Sequence, residues 1–263
     1  MYTTERYKKI LNILNEKGSV SVKELSDFLD FSPATIRSDL NYLDNQKLLI
    51  RTHGGATAIT PSNELVIEKN YSIRASKNQN LKKEIAQLAI KHIKYGECII
   101  LDASSTCYEL AKLLVNSDLR LTILTNGLKS ADLLKDNPNI TLILIGGVVK
   151  GSSNAIEGLL GTDILSKINV DSIFVSAHAF NLIDGLSDFN LYEVELKRKM
   201  VETASKVFAL VDSSKLEQTS IANFAIAKQI SILFTDNEIN DDIFSYYLEN
   251  HLTVITSVQN KKV

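Results

Sequence analysis

The sequence predicts an α/β protein in two parts: a small N-terminal winged helix-turn-helix domain, then a larger α/β domain with a mostly parallel sheet. Three observations carry that prediction. The chain opens with three short amphipathic stretches separated by turn residues. A run Leu48-Leu49-Ile50-Arg51 follows them and leads into His53-Gly54-Gly55-Ala56. From Leu81 onward, short apolar runs alternate with helical periodicity, the pattern of parallel strands covered on both faces.

Tyr7, Ile10, Leu11 and Leu14 recur at helical spacing and predict a helix over about residues 3–16, ended by Gly18. Val22, Leu25, Phe28 and Leu29 predict a second, short helix, with Asp30 and Phe31 as the turn. The third begins with a strong start signal. Ser32 suits the N-cap, and Pro33 suits the first helical position, where a missing N–H costs nothing. Ile36, Leu40 and Leu43 give it one apolar face, while Thr35, Arg37, Ser38, Asn41 and Tyr42 fall elsewhere. Those side chains hydrogen-bond bases and phosphates rather than fill a core. Ser32 and Ala34 at the start of the helix, and Arg51 and His53 in the strand and wing, complete the candidate DNA-contacting set.

Charge adds little to this. Residues 1–57 carry eight basic against seven acidic side chains, a faint electrostatic footprint for a nucleic-acid binder. Weak affinity per module is therefore expected, with a homo-oligomer supplying the rest. Asp39 faces phosphate poorly and is expected to pair with Arg6 or Arg51. A protein-interaction module built from the same three helices is the bland alternative.

The order and spacing of Glu5-Arg6, Ile10, Leu14, Val22, Glu24-Leu25, Ser32, Thr35-Ile36-Arg37, Asp39-Leu40, Leu43, Leu48, Arg51 and His53-Gly54-Gly55-Ala56 resemble the DeoR-type bacterial transcription regulators. The resemblance implies that the third helix reads a DNA major groove. One departure stands out: Ser38 occupies a position where the family usually has a second basic or polar residue after the arginine.

The chain has 263 residues, enough for two domains, and its 44% hydrophobic and 23% charged content is that of a soluble globular protein. A net charge of −2 argues against a protein that coats membranes or nucleic acids broadly. No apolar run is long enough for a bilayer, and the polar start has no signal-peptide pattern. Cys98 and Cys107 are the only cysteines, expected as reduced thiols in a cytoplasmic protein. With four histidines they give no zinc-site spacing, and no cofactor is expected.

Domain bounds are expected at 1–57, with a linker over 58–80 and an effector-sensing α/β domain over 81–263. Thr60-Pro61-Ser62-Asn63 is a loop signal. Glu64–Arg74 reads as helical, and residues 75–80 as a polar connector. Helices are then expected over 81–94, 106–115, 128–135, 159–168 and 190–205. Strands are expected over 98–102, 121–125, 141–145, 172–177, 207–211, 232–234 and 252–256.

Polar clusters close several of these strands: Asp102-Ala-Ser-Ser-Thr106, Thr125-Asn126-Gly127, Gly146-Gly147 and Asp212-Ser213-Ser214-Lys215. In an open parallel sheet such ends share one edge, where these folds bind ligands. Ser104, Ser105 and Thr106 also precede a helix, whose free N–H groups favour an anion. Lys215 and Lys197 are candidate cations. A small phosphorylated polyol is the ligand this chemistry suggests, although each cluster alone is more often plain turn chemistry.

The resemblance extends to about residue 236. Regulators of this type carry a C-terminal sensor domain that looks like ribose-5-phosphate isomerase and binds phosphorylated sugars. The matching residues are Asp102 with Ser105-Thr106, Thr125-Asn126, Gly146-Gly147, Asp184-Gly185-Leu186, Glu193, Lys197-Arg198 with Met200, and Val211 to Lys215. The resemblance implies that they line an effector pocket. Ser104 replaces a usual glycine there, and Ser176-Ala-His-Ala-Phe180 replaces a more glycine-rich segment. His178 is expected as a packed imidazole rather than a ligand contact.

The leading expectation is a repressor of a carbohydrate operon, released from duplex DNA by a phosphorylated sugar. A sugar-phosphate isomerase with an accessory N-terminal module is the rival, since Asp102, Glu193 and Lys215 can do acid–base work.

Overall fold

The computed structural model describes residues 3–45, 48–52, 54–58, 71–150 and 153–257. The chain divides into two compact units, Met1–Ser76 and Lys77–Val263.

In the first unit α1 (Thr3–Lys17), α2 (Val22–Leu29) and α3 (Pro33–Asn45) follow the expected order. Each boundary has a local cause. Gly18 leaves α1 at φ 74°, a conformation glycine adopts without a Cβ penalty. Ser21 and Glu24 form a reciprocal capping box on α2, and Asp30 ends it in the left-handed region. The apolar stripes meet in one core of Ile10, Leu14, Leu25, Leu29, Ile36, Leu40, Leu43 and Leu49. Phe28, expected on the apolar face of α2, is instead 72% exposed. Val22, Leu25 and Leu29 alone make the buried stripe.

A three-stranded antiparallel sheet closes the unit, in the order β1 (Ser19–Ser21), β3 (Gly55–Thr57), β2 (Ile50–Arg51). The expected strand over 48–51 is shorter than the apolar run, because Leu49 turns into the core while Leu48 stays exposed. Gly55 is required by a close approach: a Cβ there would lie 2.1 Å from the Val20 carbonyl oxygen. β1, three residues long, has no signal of its own in the sequence. His53 lies outside the described residues, as does most of the helix expected over 64–74; its last part is observed as α4 (Tyr71–Ser76).

The second unit is built on seven strands, all parallel, in the order β15-β14-β12-β9-β4-β5-β6. These are β4 (Cys98–Leu101), β5 (Leu121–Thr125), β6 (Ile140–Leu144), β9 (Val170–Val175), β12 (Ala204–Leu210), β14 (Ile230–Phe234) and β15 (Val254–Ile255). The chain runs outward through β4, β5 and β6, then returns to place β9 on the other side of β4. β4 and β9 therefore flank the reversal point of the sheet, where the crossovers diverge and leave a crevice.

Strand periodicity sorts the core onto two faces. Ile99 and Leu101 of β4 join Ile123, Phe174, Phe208 and Phe234 on one side, with Ile85 from α5 (Gln79–Ala89) and Leu110 from α6 (Ser105–Leu114). Ile100 joins Leu124, Ile173 and Val175 on the other, under Val194, Leu196 and Met200 of α8 (Leu191–Thr203). α7 (Leu128–Leu134) follows β5 as expected.

The helix expected over 159–168 is not formed: only a short 3₁₀ turn, Thr162–Ser166, is present. Gly158 sits at φ 81°, and Gly161 lies so close to the backbone of Gly146 that a Cβ would meet its oxygen at 2.3 Å. Ile164, Leu165 and Ile168 still pack on the core, but Leu159 and Leu160 do not; Leu160 is 80% exposed. A hairpin of β7 (Val148–Val149) and β8 (Ile156–Glu157) was not expected. Nor was a small antiparallel sheet of β10 (Ala179–Asn181), β11 (Gly185–Asp188) and β13 (Ala222–Ala225). Nor was α9 (Asp241–Glu249), whose N-cap Asn240 accepts from the amides of Asp242 and Ile243. Among the described residues, no helix is long and apolar enough to cross a membrane.

Candidate functional site

α3 presents a polar face. Ser32 Oγ accepts from the Thr35 amide at 3.2 Å and lies 2.9 Å from Thr35 Oγ1. Ala34, Arg37, Ser38 and Asn41 are exposed, and Tyr42 stacks on Tyr7 with ring centres 4.9 Å apart. The helix is fixed from behind by a buried ion pair. Arg6 Nε and Nη2 donate to the two oxygens of Asp39 at 2.5 and 2.9 Å, with the guanidinium 4.5 Å over Phe31. The bond to Asp39 raises the Arg6 pKa. Arg51, a candidate for DNA contact, is partly committed inside the unit. Its Nε donates to Asn41 Oδ1 at 3.0 Å and its Nη1 to the Gly55 carbonyl at 2.7 Å. It thereby ties α3 to the wing, and Asn41 shares in that tie.

In the second unit the reversal point gathers a polar cluster. Asp102, at the end of β4, is fully buried. Its Oδ1 accepts from the Ser104 amide at 3.0 Å and its Oδ2 from the Ser176 amide at 3.2 Å. Lys197 reaches in from α8. Its Nζ lies 2.8 Å from Asp188 Oδ2, 3.3 Å from Asp102 Oδ2, and donates to the Ser176 carbonyl at 2.8 Å. Burial opposes the Lys197 charge, but Asp188, Asp102 and Glu193 outweigh it and raise the pKa. Ser104 caps α6 by accepting from the Cys107 amide at 3.1 Å. Ser105 and Thr106 are buried in its first turn, with Thr106 Oγ1 3.5 Å from Ser176 Oγ. Burial, with Asp102 next, pushes the Cys107 thiol well above its ordinary pKa, which makes it inert.

One strand over, Thr125 Oγ1 accepts from the Gly127 amide at 3.0 Å, and Asn126 Nδ2 donates to the Ile156 carbonyl at 3.0 Å. Asn126 is 2% exposed, and its Oδ1 has no hydrogen-bond partner among the described residues. Asn154 caps α7 through the Lys129 amide at 2.8 Å and reaches the Ala103 carbonyl at 3.5 Å. Gly146 and Gly147 carry the chain across the 156–161 segment; a Cβ on Gly147 would meet the Glu157 oxygen at 2.5 Å. At Gly147 the missing side chain permits that close approach, whereas a Cβ on Gly146 would meet only the Gly161 Cα at 4.0 Å.

After β12, Lys215 lies 3.4 Å from Asp212. Burial raises the Asp212 carboxyl, yet Lys215, Ser214 and Asn78 outweigh it and hold the pKa below the ordinary value. Glu193 is buried one turn before Lys197, and its Oε1 accepts from Asn190 Nδ2 at 3.2 Å. Asp184 lies apart. It occupies the β10–β11 turn, bonded to Asn181 and Thr219, at the end of the hairpin away from Asp188. His178 is half-buried, edge-on to Phe189 at 5.1 Å.

Sequence reasoning passed over Asp188, Asn154 and Asn78. Asp188 carries a faint signal, an acid closing a short strand just before the capped helix that bears Lys197. Among the described residues, no group of three His, Cys, Asp or Glu side chains is placed to hold a metal.

Comparison with known proteins agrees with this two-part plan. Residues 6–62 match the DeoR-like helix-turn-helix domain, and residues 77–237 match the DeoR C-terminal sensor domain. The HTH-type transcriptional regulator GolR of Listeria innocua is 40% identical over 254 residues, 97% of this chain and 98% of that protein. The glycerol-3-phosphate regulon repressor of Escherichia coli is 28% identical over 252 residues, 96% of this chain and 98% of that one. Among solved structures, ribose 5-phosphate isomerase A from Methanocaldococcus jannaschii aligns with 53% of this chain and 55% of its own, at 21% identity and a TM-score of 0.41. With two domain models in the matching order and a relative spanning nearly its full length, the chain belongs to the DeoR family of transcriptional regulators.

Proposed function

We propose that the protein is a cytoplasmic repressor of a carbohydrate-utilisation operon, released from operator DNA by a phosphorylated sugar. α3 and the wing, within residues 1–57, enter the DNA, with Ser32, Ala34, Thr35, Arg37, Ser38, Asn41, Tyr42, Arg51 and His53 as the contact set. The sensor domain holds the effector at the carboxyl edge of its sheet. The join between them is the stretch expected over 58–80, of which the part from Lys77 on falls in the sensor unit.

The observation that carries the reading is the chemistry of that edge. The hydroxyls of Ser105 and Thr106 stand at the N-terminus of a ten-residue helix, which favours an anion. One strand away, the buried Asn126 Oδ1 requires a donor, and a sugar hydroxyl is one. Lys197 is already spent on Asp102 and Asp188, which leaves Lys215 as the cation for a phosphate. The same commitments argue against catalysis. Asp102 accepts two backbone hydrogen bonds and faces an ammonium, a poor arrangement for a base that must take a proton from carbon. The relative named as a glycerol-3-phosphate regulon repressor supports the sign of regulation. Because the DNA module is nearly neutral, a homo-oligomer presenting two modules completes the reading.

The test is selection of bound sequences from random duplex DNA by the full-length protein. Ribose 5-phosphate, glucose 6-phosphate and glycerol 3-phosphate are then tried as releasing agents on the selected operator. A recovered repeated or inverted motif, released by one of them, is the expected result. No enrichment, or turnover of ribose 5-phosphate, overturns the proposal.

A further inference from the structure

Asn78 is the second residue of the sensor unit, which begins at Lys77. Its backbone is left-handed, at φ 55° and ψ 34°, a region asparagine tolerates better than most residues. It occupies the N-cap position of α5, yet its side chain makes no capping bond. The side chain points elsewhere. Nδ2 donates to Asp212 Oδ1 at 3.2 Å and to Ser214 Oγ at 3.0 Å. Both acceptors belong to the loop after β12, the loop that carries Lys215.

The neighbours of Asn78 hold the same stretch to the rest of the edge. Lys82 is buried and donates its Nζ to the Lys77 carbonyl at 2.6 Å. Gln79 Nε2 reaches Glu109 Oε1 at 3.5 Å, on the helix that opens at Ser105. The first residues of the sensor unit thus touch, side chain to side chain, both the Lys215 loop and the helix of the Ser104–Thr106 turn.

We infer that Asn78 is the positioning residue through which the state of the effector edge reaches the chain leading from the DNA module. The inference rests on the reading that a phosphorylated sugar binds at this edge. A phosphate that draws Lys215 away from Asp212 removes the stronger of the two cations that act on that carboxylate, Lys82 being the weaker. Asp212 then resettles, and Asn78, bonded to its other oxygen, moves with it. Lys77 and Ser76 follow by chain continuity. A ligand can shift DNA binding only through an element with different contacts in the two states, and this hydrogen-bond pair is such an element.

Two measurements on the full-length protein decide it. The first needs no sugar. Amide hydrogen exchange over residues 77–82 is compared in wild type, Lys215→Ala, Asn78→Gly and the double variant. Glycine keeps the left-handed backbone available, so only the side chain is lost. Lys215→Ala should speed exchange over 77–82 by about fivefold or more, and should add nothing once Asn78 is glycine. Unchanged exchange in Lys215→Ala overturns the inference, whatever sugar the protein binds. The second measures operator Kd with and without the three sugar phosphates. Wild type should weaken by about 5–150-fold with the active one, the usual range of coupled sites, and Asn78→Gly by no more than about twofold. Calorimetric affinity for that sugar phosphate, measured without DNA, should match wild type. Asn78→Asp, which keeps the shape and turns a carboxylate on Asp212, should behave like Asn78→Gly. Intact coupling in either variant, or lost sugar affinity, overturns the inference. No response of wild type to any of the three counts against the effector reading alone, and the exchange result still decides the link.

Discussion

The carboxylate of Asp102 and the ammonium of Lys197 stand 3.3 Å apart at the reversal point of the sheet, with almost no contact with solvent. Asp188 shares the same ammonium at 2.8 Å. Taking three charges out of water is costly, and the arrangement is tolerable because every partner is present. Lys197→Met leaves two buried carboxylates without their cation. The expected loss of stability is about 3–5 kcal/mol, read by urea unfolding of the full chain. A loss under about 1 kcal/mol would mean that the carboxylates are satisfied without Lys197.

The second buried pair fixes the recognition helix. Asp39 and Arg6 bridge α3 and α1 with both carboxylate oxygens engaged. Asp39→Ala strands a buried guanidinium over Phe31 and should cost about 3–5 kcal/mol. It should also weaken operator binding, because the orientation of α3 depends on the pair. Circular dichroism with denaturant, set beside DNA titrations, separates the two effects. Unaltered stability would show that Arg6 finds another partner.

Arg37, unlike Arg6 of α1, is exposed, on the side of α3 away from Asp39. Arg37→Ala should leave stability untouched and weaken operator binding by about 1–3 kcal/mol if the guanidinium reads a base. If it meets phosphate instead, the loss is alike on all sequences and the salt dependence flattens. Operator affinity equal to wild type would remove this helix from the interface.

How far the sequence could lead to these residues depended on the range of the interactions. The stripe of Val22, Leu25 and Leu29 and the start at Ser32-Pro33 are local signals, and the helices they predict are present. The apolar runs of the second unit found all seven parallel strands for the same reason. What failed was governed by distant contacts. The apolar spacing of 159–168 looked helical, but Gly161 exists there to touch Gly146, fifteen residues back in the chain. The two acids of Asp184-Gly185-Leu186-Ser187-Asp188 cannot be told apart by composition. A hairpin of unmarked three- and four-residue strands puts one in a turn and the other on Lys197. Lys197 was singled out as a cation for a ligand, while the carboxylates that engage it were out of reach of pattern reading. Asn78 sat inside what looked like a polar connector.

His92 gives a pH test. It is half-buried, edge-on to Phe234 at 5.0 Å and Phe208 at 6.0 Å. Burial, with Lys91 second, lowers its pKa from the ordinary 6.5. A depressed histidine binds its proton less readily when folded than when unfolded. Its share of stability is therefore complete above pH 6.5 and is lost as pH falls from there through the folded value. Denaturant midpoints of wild type should fall more steeply over this interval than those of His92→Phe. Parallel curves would mean that the imidazole titrates alike in both states.

The last expectation concerns the effector edge, and it turns on keeping binding and response apart. Lys215 and Ser105 lie in the sensor unit, and neither belongs to the face of α3. Lys215 is 3.4 Å from Asp212 and keeps about a quarter of its side chain in solvent, so its ammonium can turn to a phosphate without unfolding the loop. Ser105 is buried in the first turn of α6, where the helix N–H groups are concentrated. Lys215→Ala removes a charge; Ser105→Leu fills the place of an anion. The two changes are chemically unlike, so a shared phenotype points to a shared site. Ser105→Leu should hold operator DNA as wild type does and fail to release it at sugar-phosphate concentrations that release wild type, whereas Lys215→Ala, which also frees Asp212, should start from weaker operator binding and need more sugar phosphate for any further release. In cells Ser105→Leu would be a repressor that cannot be induced. Loss of a charged hydrogen bond of this kind weakens effector affinity by about 1.5–3 kcal/mol, roughly ten- to more than a hundredfold. DNA titrations against increasing sugar phosphate should therefore show Lys215→Ala displaced to higher concentration and Ser105→Leu unresponsive. If both variants respond where wild type does, the effector is held elsewhere than at this edge.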